Sequence, residues 1–253
     1  MADFKLLNYA GRRSEARAAI LVDDDVVDLQ EAVPGKAWAA STLAALSVWD
    51  EALPALCKLA GARPKSKRRL ADVRLLAPLL YPPAIYCAGA NYADHAAEMS
   101  AEGKGVDKAT TQPYFFLKSG AHCIIGPGAA IRLPAISEKV DWEAECAVVI
   151  GRRGRNIKAA DAMKHVAGYT IMNDLSARDL SRRPDWPRWG IDWFGHKNFE
   201  CAAPMGPWIA PAEGVPDIYA CQLRLWVNQE KMQDTLVSGL IFNIAEMIEY
   251  LSR

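Results

Sequence analysis

The sequence predicts a strand-rich α+β fold, and two features of the 253-residue chain indicate it. From about residue 76 onward, short runs of β-branched and aromatic residues recur, and glycine or proline separates them. The stretches with helical periodicity between these runs are brief. No glycine-rich nucleotide-binding motif accompanies the strands, so the pattern does not favour a doubly wound sheet.

The first 75 residues form a predicted small module of their own. The stretches FKLLNYAG and AAILVDDDVVDL have the composition of strands joined by a polar turn, and TLAALSVWDEALPALCKLAG has the apolar spacing of a helix. The basic stretch at residues 63–69 then has the composition of a solvated linker. We therefore predict a small N-terminal α/β domain over residues 1–75 and a larger domain over residues 76–253.

The larger domain contains most of the candidate strands. They cover residues 85–89, 114–117, 140–151, 165–173, 205–209 and 222–227. Short helices are predicted at residues 93–101, 159–163 and 242–252.

Composition excludes several classes of partner. Lysine plus arginine equals aspartate plus glutamate at 30 each, so no overall field attracts nucleic acid or an anionic membrane. No apolar stretch approaches the roughly 20 residues that span a bilayer, and the N-terminus does not have the layout of a signal peptide. The six cysteines are scattered, as is typical of reduced thiols. We expect a cytoplasmic protein that binds neither nucleic acid nor membrane.

The segment KVDWEAECAVVIG contains a candidate metal site. Side chains alternate along a strand, so Glu143 and Glu145 are expected on one face at the entrance to an apolar core. With Asp174, at the end of the next long strand, they would form the oxygen-rich site that Mg²⁺ or Mn²⁺ prefers. The residues alone leave open a second interpretation, in which arginines such as Arg152 and Arg178 neutralise the glutamates.

Two further groups of residues are candidates for catalysis. His95 and Glu98 are three positions apart on a predicted helix, so Glu98 could orient His95 as a general base. A surface pair on an alanine-rich helix has the same spacing. Lys197 precedes a predicted strand and could stabilise an oxyanion. The tryptophan-rich stretch at residues 182–194 suggests either a flap over a pocket or an ordinary packed loop.

Together, four segments resemble the fumarylacetoacetate hydrolase family in their order and spacing. They are GANYADHAAEM, VDWEAECAVVIG, GYTIMNDLSARDL and HKNFECAAPMGPWI, and the resemblance covers residues 70–250. It implies a layered β-roll catalytic domain, commonly a homodimer, with Mg²⁺ or Mn²⁺ on Glu143, Glu145 and Asp174. It also implies that His95 and Glu98 activate water, and that Lys197 and Arg178 meet the substrate.

The resemblance implies cleavage of a carbon–carbon bond in an acylpyruvate-like or fumarylacetoacetate-like acid. Family members that decarboxylate or isomerise related 2-oxo or 2-hydroxydienoate acids leave those reactions open, as does an inactive metal-binding homologue. Ser181 stands where the family often has glutamine, and Glu200 where it usually has aspartate. The family continues past the segment that ends at Arg253 into further strands, so we expect this chain to be incomplete.

Overall fold

The architecture is described from a computed structural model, which covers residues 3–99 and 105–253. The strands are β1 Lys5–Ala10, β2 Ala16–Val22, β3 Asp25–Asp28, β4 Leu75–Leu76, β5 Ile85–Ala88, β6 Phe115–Lys118, β7 Ile124–Ile125, β8 Val140–Asp141, β9 Ala144–Ile150, β10 Val166–Asn173, β11 Ser176–Ala177, β12 Ala203–Pro211, β13 Gln222–Val227 and β14 Glu230–Leu236. The predicted α+β class is confirmed, because helices and strands are mixed along the whole described chain.

The helices are mostly short. They are α1 Leu29–Ala32, α2 Thr42–Ser47, α3 Trp49–Gly61, α4 Ala93–Met99, α5 Ala159–Ala162, α6 Trp193–Lys197 and α7 Ile244–Leu251. The helix predicted at residues 93–101 corresponds to α4, and the last two residues of that prediction lie outside the described residues. Within the described residues, no helix is long and apolar enough to cross a lipid bilayer.

One large sheet organises the molecule. Its strands run in the order β3-β2-β1-β12-β10-β9, with β4 paired to β1 and β7 paired to β12. Leu6 of β1 lies opposite Ile209 of β12, and both are fully buried in one apolar core. That core also contains Trp49 from α3 and Ala167 from β10, so the N-terminal residues and the later strands share it.

Three predicted elements differ in detail from the structure. AAILVDDDVVDL forms two strands, β2 and β3, because the chain turns at Asp23, which has a positive φ of 52°. The single predicted helix after residue 40 is two helices that meet at Val48, where the backbone leaves helical geometry. The predicted linker at residues 63–69 follows β3 closely, since Val26 N–H donates to Arg68 O and Ser66 Oγ donates to Val26 O.

Candidate metal centre and active site

The candidate site lies where two antiparallel neighbouring segments, β8–β9 and β10–β11, are both interrupted. Ala144 at the start of β9 pairs with Asn173 at the end of β10, and Asp141 of β8 pairs with Ser176 of β11. Between these pairings, Glu143 and Asp174 leave regular strand geometry on facing segments. The continuous strand predicted for residues 140–151 is therefore wrong at this point, and the interruption brings the two acids together.

Hydrogen bonds fix the two interrupted segments against each other. Asp174 N–H donates to Glu143 O at 2.8 Å, and Glu143 N–H donates to Asn173 Oδ1 at 2.8 Å. Ser176 Oγ donates to Glu143 Oε1 at 2.6 Å. These bonds hold the Glu143 backbone and carboxylate in place and do not involve the Glu145 carboxylate.

Glu143, Glu145 and Asp174 converge as predicted. Each offers a carboxylate oxygen, and these atoms lie within 4.8 Å of one another. Asp174 Oδ1 is buried and receives no hydrogen bond of normal geometry within the described residues, although Lys118 Nζ is 2.6 Å away. Three hard oxygen donors fit Mg²⁺ or Mn²⁺ better than zinc, which prefers nitrogen and sulfur. We refer to these three residues as the acidic triad.

Two buried lysines pair with Asp174 and Glu143 of the acidic triad. Lys197 Nζ lies 2.7 Å from Asp174 Oδ2 and 3.0 Å from Glu143 Oε1. Lys118 Nζ donates to Leu175 O at 2.9 Å and contacts Asp174 from the other side. The two lysine side chains are at most 3% exposed, so these contacts are shielded from solvent and salt.

The pKa values of Lys197 and Glu145 are both raised, but for different physical reasons. Burial alone would lower the pKa of Lys197, but the carboxylates of Asp174 and Glu143 outweigh burial and raise that pKa. Lys197 is therefore a fixed ammonium group and not a base. For Glu145, loss of hydration and the neighbouring carboxylates of Asp174 and Glu143 raise the pKa well above its ordinary value. A divalent cation would stabilise the charged form of Glu145.

Arginine forms ion pairs with only some of the acidic side chains at the site. Arg178 lies 2.7 Å from Glu143 and 2.8 Å from Asp141, so it is held at the rim of the site. Arg152 pairs with Asp50, away from the triad. Within residues 3–99 and 105–253 the Glu145 side chain makes no hydrogen bond and no direct ion pair, and the ammonium groups of Lys197 and Lys118 only partly offset the neighbouring carboxylates. Neutralisation by arginine therefore leaves Glu145 unexplained.

His95 and Glu98 lie together on α4. His95 Nδ1 is 3.8 Å from Glu98 Oε2, which is ion-pair distance but too long for a hydrogen bond. In the part of the chain that is described, neither side chain contacts the acidic triad. The segment before α4 is nevertheless anchored, because the buried Asn91 side chain accepts from Phe242 N–H and donates to Phe242 O.

Three residues at the site were missed by sequence reasoning. Lys118 directly follows the strand predicted for residues 114–117 and carries no motif, Ser176 is one serine in a polar turn, and Gln233 lies on a strand that was not predicted. The Gln233 amide accepts from Ala144 N–H at 2.9 Å and donates to Ala144 O at 2.7 Å, between the two glutamates. Alternation along β6 could have placed Lys118 on the buried face of Phe116, but it does not indicate Asp174 as a partner.

The tryptophan-rich stretch is largely exposed except next to the site. Trp186 and Trp189 are 53% and 73% exposed and contact each other edge to face. Trp193, at the start of α6, stacks on Phe116. His196 is buried and bonds through Nδ1 with Asp192 O, which gives it a structural role.

Comparison with known proteins identifies relatives of this chain. Over 182 residues it is 40% identical to the mitochondrial oxaloacetate tautomerase FAHD2A of Bos taurus, a match that covers 72% of this chain and 54% of that protein. The crystal structure of maleylpyruvate hydrolase from Sphingobium sp. SYK-6, with manganese(II) and pyruvate bound, is 25% identical with a TM-score of 0.74, covering 98% of this chain and 82% of the other. That of 2-hydroxyhepta-2,4-diene-1,7-dioate isomerase from Mycobacterium marinum is 26% identical with a TM-score of 0.68, covering 98% and 81%.

The chain spans about half the length of the curated relatives that it matches. Residues 84–253 match the model of the fumarylacetoacetate (FAA) hydrolase C-terminal domain. This match includes the acidic triad, both buried lysines and the His95–Glu98 pair. The resemblance predicted from the four sequence segments is confirmed, and the chain belongs to the fumarylacetoacetate hydrolase family.

Proposed function

We propose that this chain is a divalent-metal-dependent hydrolase that cleaves the carbon–carbon bond of an acylpyruvate-like 2,4-dioxo acid. The observation that carries the proposal is the acidic triad beside the ammonium groups of Lys118 and Lys197. Glu143, Glu145 and Asp174 would hold Mg²⁺ or Mn²⁺. Bound there, the ion would supply Lewis-acid polarisation of the keto-acid oxygens.

The charges at the site favour a small anionic substrate. Asp141 and the three triad residues face Lys118, Lys197 and Arg178. A bound dication would turn this slightly negative site into a positive one, which attracts a carboxylate. Arg178 is half-exposed at the rim, where it can leave Asp141 and pair with the substrate carboxylate.

The side chains divide the proposed reaction between them. His95, oriented by Glu98, accepts a proton from the attacking water, which adds to the carbonyl carbon distant from the carboxylate. The Lys197 ammonium donates to the oxyanion that forms there, and its raised pKa keeps that donor charged. The carbon–carbon bond then breaks and the departing carbon takes a proton, which yields pyruvate and the free carboxylic acid.

A parallel assay tests this function. Acetylpyruvate, oxaloacetate and a 2-hydroxydienoate are supplied with Mg²⁺ or Mn²⁺, and the products are identified by NMR. His95→Ala is expected to lower acylpyruvate hydrolysis by about two to four orders of magnitude while calorimetry shows unchanged metal affinity. His165→Ala, directly before β10 and at the end of that strand away from Asp174, is the control and should retain hydrolysis. Full activity of His95→Ala refutes the assignment of the base, and no acylpyruvate turnover with either metal refutes the hydrolase.

Keto–enol tautomerisation of oxaloacetate is the second candidate. Its support is the 40% identity to an oxaloacetate tautomerase, and the reaction needs no attacking water. Lys197 would then stabilise the enolate oxygen. Faster loss of enol absorbance from oxaloacetate, without release of pyruvate from acetylpyruvate, would favour this candidate over hydrolysis.

A further inference from the structure

A row of three aromatic rings leads from the acidic triad towards the surface. Phe116 is buried, and its ring centroid lies 4.9 Å from Lys197 Nζ. Trp193 stacks on Phe116 with centroids 4.5 Å apart and an interplanar angle of 13°. Tyr114 lies 5.5 Å from Trp193 and is 54% exposed. We refer to Tyr114, Phe116 and Trp193 as the aromatic wall.

The backbone fixes the direction of this wall. Tyr114, Phe116 and Lys118 alternate along one extended segment, so they share the face that Lys118 turns towards Asp174. Trp193 and Lys197 are four positions apart and share one face of α6. The strand face and the helix face meet, with their lysines at the triad and their rings extending outward. The aromatic wall therefore has the lysine ammonium groups beside its inner end and an exposed aromatic ring at its outer end.

The outer ring is not needed to fill the core. Phe116 and Trp193 pack in the apolar cluster around Met172, whereas Tyr114 projects beyond that cluster. Gly89 precedes the segment that leads to α4, and a Cβ at this position would lie 3.0 Å from Tyr114 Cδ1. The absence of a side chain at Gly89 lets the Tyr114 ring lie against the backbone that leads to His95.

We propose that the aromatic wall binds the acyl tail of the substrate, and that the preferred substrates are 2,4-dioxo acids with a planar, apolar tail such as an aryl group. This inference rests on the proposed function. The dioxo-acid head lies at the triad and the lysines, and the tail lies along Trp193 towards Tyr114. Aromatic rings attract a planar apolar group by burial of area and by stacking, and they offer no compensation for a charged tail.

The affinities of two unreactive anions separate the contribution of the substrate's dioxo-acid head from that of its tail. Oxamate carries only the head, and N-phenyloxamate adds one aryl ring. With Mn²⁺ present, calorimetry is expected to show about tenfold tighter binding of N-phenyloxamate, since burial of one ring face contributes roughly 1.4 kcal/mol. In Tyr114→Ala this advantage should fall below about threefold, because the outermost ring of the wall is lost.

Tyr86→Ala is the matched control. Tyr86 is 58% exposed and pairs with Leu117, on the face of the β5–β6 ribbon opposite Phe116. This variant should retain the full preference for the phenyl group. The ratio of kcat/KM for benzoylpyruvate over acetylpyruvate is expected to follow the same pattern across the three proteins.

The outcomes are distinguishable. Equal affinity for the two anions, or an undiminished preference in Tyr114→Ala, overturns the aromatic wall while the proposed function stands. Binding of neither anion in the presence of Mn²⁺ overturns the proposed function and the inference with it. Tight binding of N-phenyloxamate without turnover of any acylpyruvate overturns the hydrolase but supports the wall as a binding surface.

Discussion

Asp174 is the residue that connects the charges of the site, because its carboxylate is 1% exposed and contacts two ammonium groups. A buried carboxylate needs such partners, since its desolvation costs several kcal/mol when it is unpaired. Glu145 is in a different situation: among the described residues it makes neither a direct ion pair nor a hydrogen bond, and Lys197 and Lys118 act on it only as nearby charges. We infer that Glu145 is the triad member with most to gain from a divalent cation.

Glu145→Gln should therefore change metal affinity and stability in opposite directions. Loss of a charged ligand is expected to weaken Mn²⁺ binding by at least about 100-fold in calorimetry. The metal-free variant should be more stable than the metal-free wild type by roughly 1 kcal/mol in urea unfolding, because a carboxylate that is only partly compensated is gone. Glu230→Gln, on the exposed hairpin, should change neither quantity. Unchanged Mn²⁺ affinity in Glu145→Gln would remove Glu145 from the ligand set.

The same substitution has a pH signature with a defined sign. The pKa of Glu145 is raised above its ordinary value of 4.5 in the folded protein, so Glu145 does not lower the stability below about that pH, where it is protonated in both the folded and the unfolded state. The stability of the wild type then falls as the pH rises from 4.5 to the elevated folded-state pKa. The stability difference between Glu145→Gln and the wild type should thus be small in acid and widen towards neutral pH.

Some residues of the site could be predicted from the sequence and others could not. The acids of VDWEAE and Asp174 could be predicted because charged residues at the mouth of an apolar run require compensation. Lys118 could not, because a lysine at the end of a strand is ordinarily exposed. Its burial follows from contacts with Asp174 and Leu175, which are more than 50 positions away along the chain.

At the scale of elements, the β13–β14 hairpin supports the site from outside. Gln233 makes two hydrogen bonds with the backbone of Ala144, as a paired strand would. Ala144 lies between Glu143 and Glu145, so the hairpin fixes the spacing of two triad carboxylates. Residues that orient metal ligands in this manner contribute substantially to affinity.

Gln233→Ala is expected to weaken Mn²⁺ binding by about tenfold, although Gln233 contacts no triad carboxylate. The loss of two hydrogen bonds to buried backbone should also lower the free energy of unfolding by roughly 2 kcal/mol. Gln229→Ala, in the exposed turn of the same hairpin, serves as the control for calorimetry and urea unfolding. Wild-type Mn²⁺ affinity in Gln233→Ala would mean that the hairpin does not position the ligands.

Element types were predictable where the apolar pattern was long, as in β9 and β10. The paired interruptions at Trp142–Glu143 and Asp174–Leu175 were not, because they arise from pairing with partners on either side. Strand β14 was also missed, since Glu230–Leu236 is mostly polar and is stabilised by its neighbour β13. Local propensity gives little information about strands whose stability comes from non-local pairing.

At the scale of the whole molecule, the sequence suggested a division near residue 75 that remains a prediction. The structure shows a continuous sheet in which β1 pairs with β12, and a core shared between Leu6, Ile209 and Ala167. Non-local pairing of this kind carries no local sequence signal. A shared core favours cooperative unfolding, in which the N-terminal strands and the strands that carry the site lose structure together.

Leu6→Ala tests this coupling directly. Leu6 is fully buried opposite Ile209, so its truncation should lower the free energy of unfolding by about 3 kcal/mol. If the core is cooperative, hydrogen exchange measured by mass spectrometry should accelerate in β10 as much as in β1, although β10 contains no altered residue. Leu133→Ala, at a position that is 67% exposed, should leave both segments within about 0.5 kcal/mol of the wild type. Retained protection in β10 alongside lost protection in β1 would instead identify two independent folding units, with the acidic triad supported by the later strands alone.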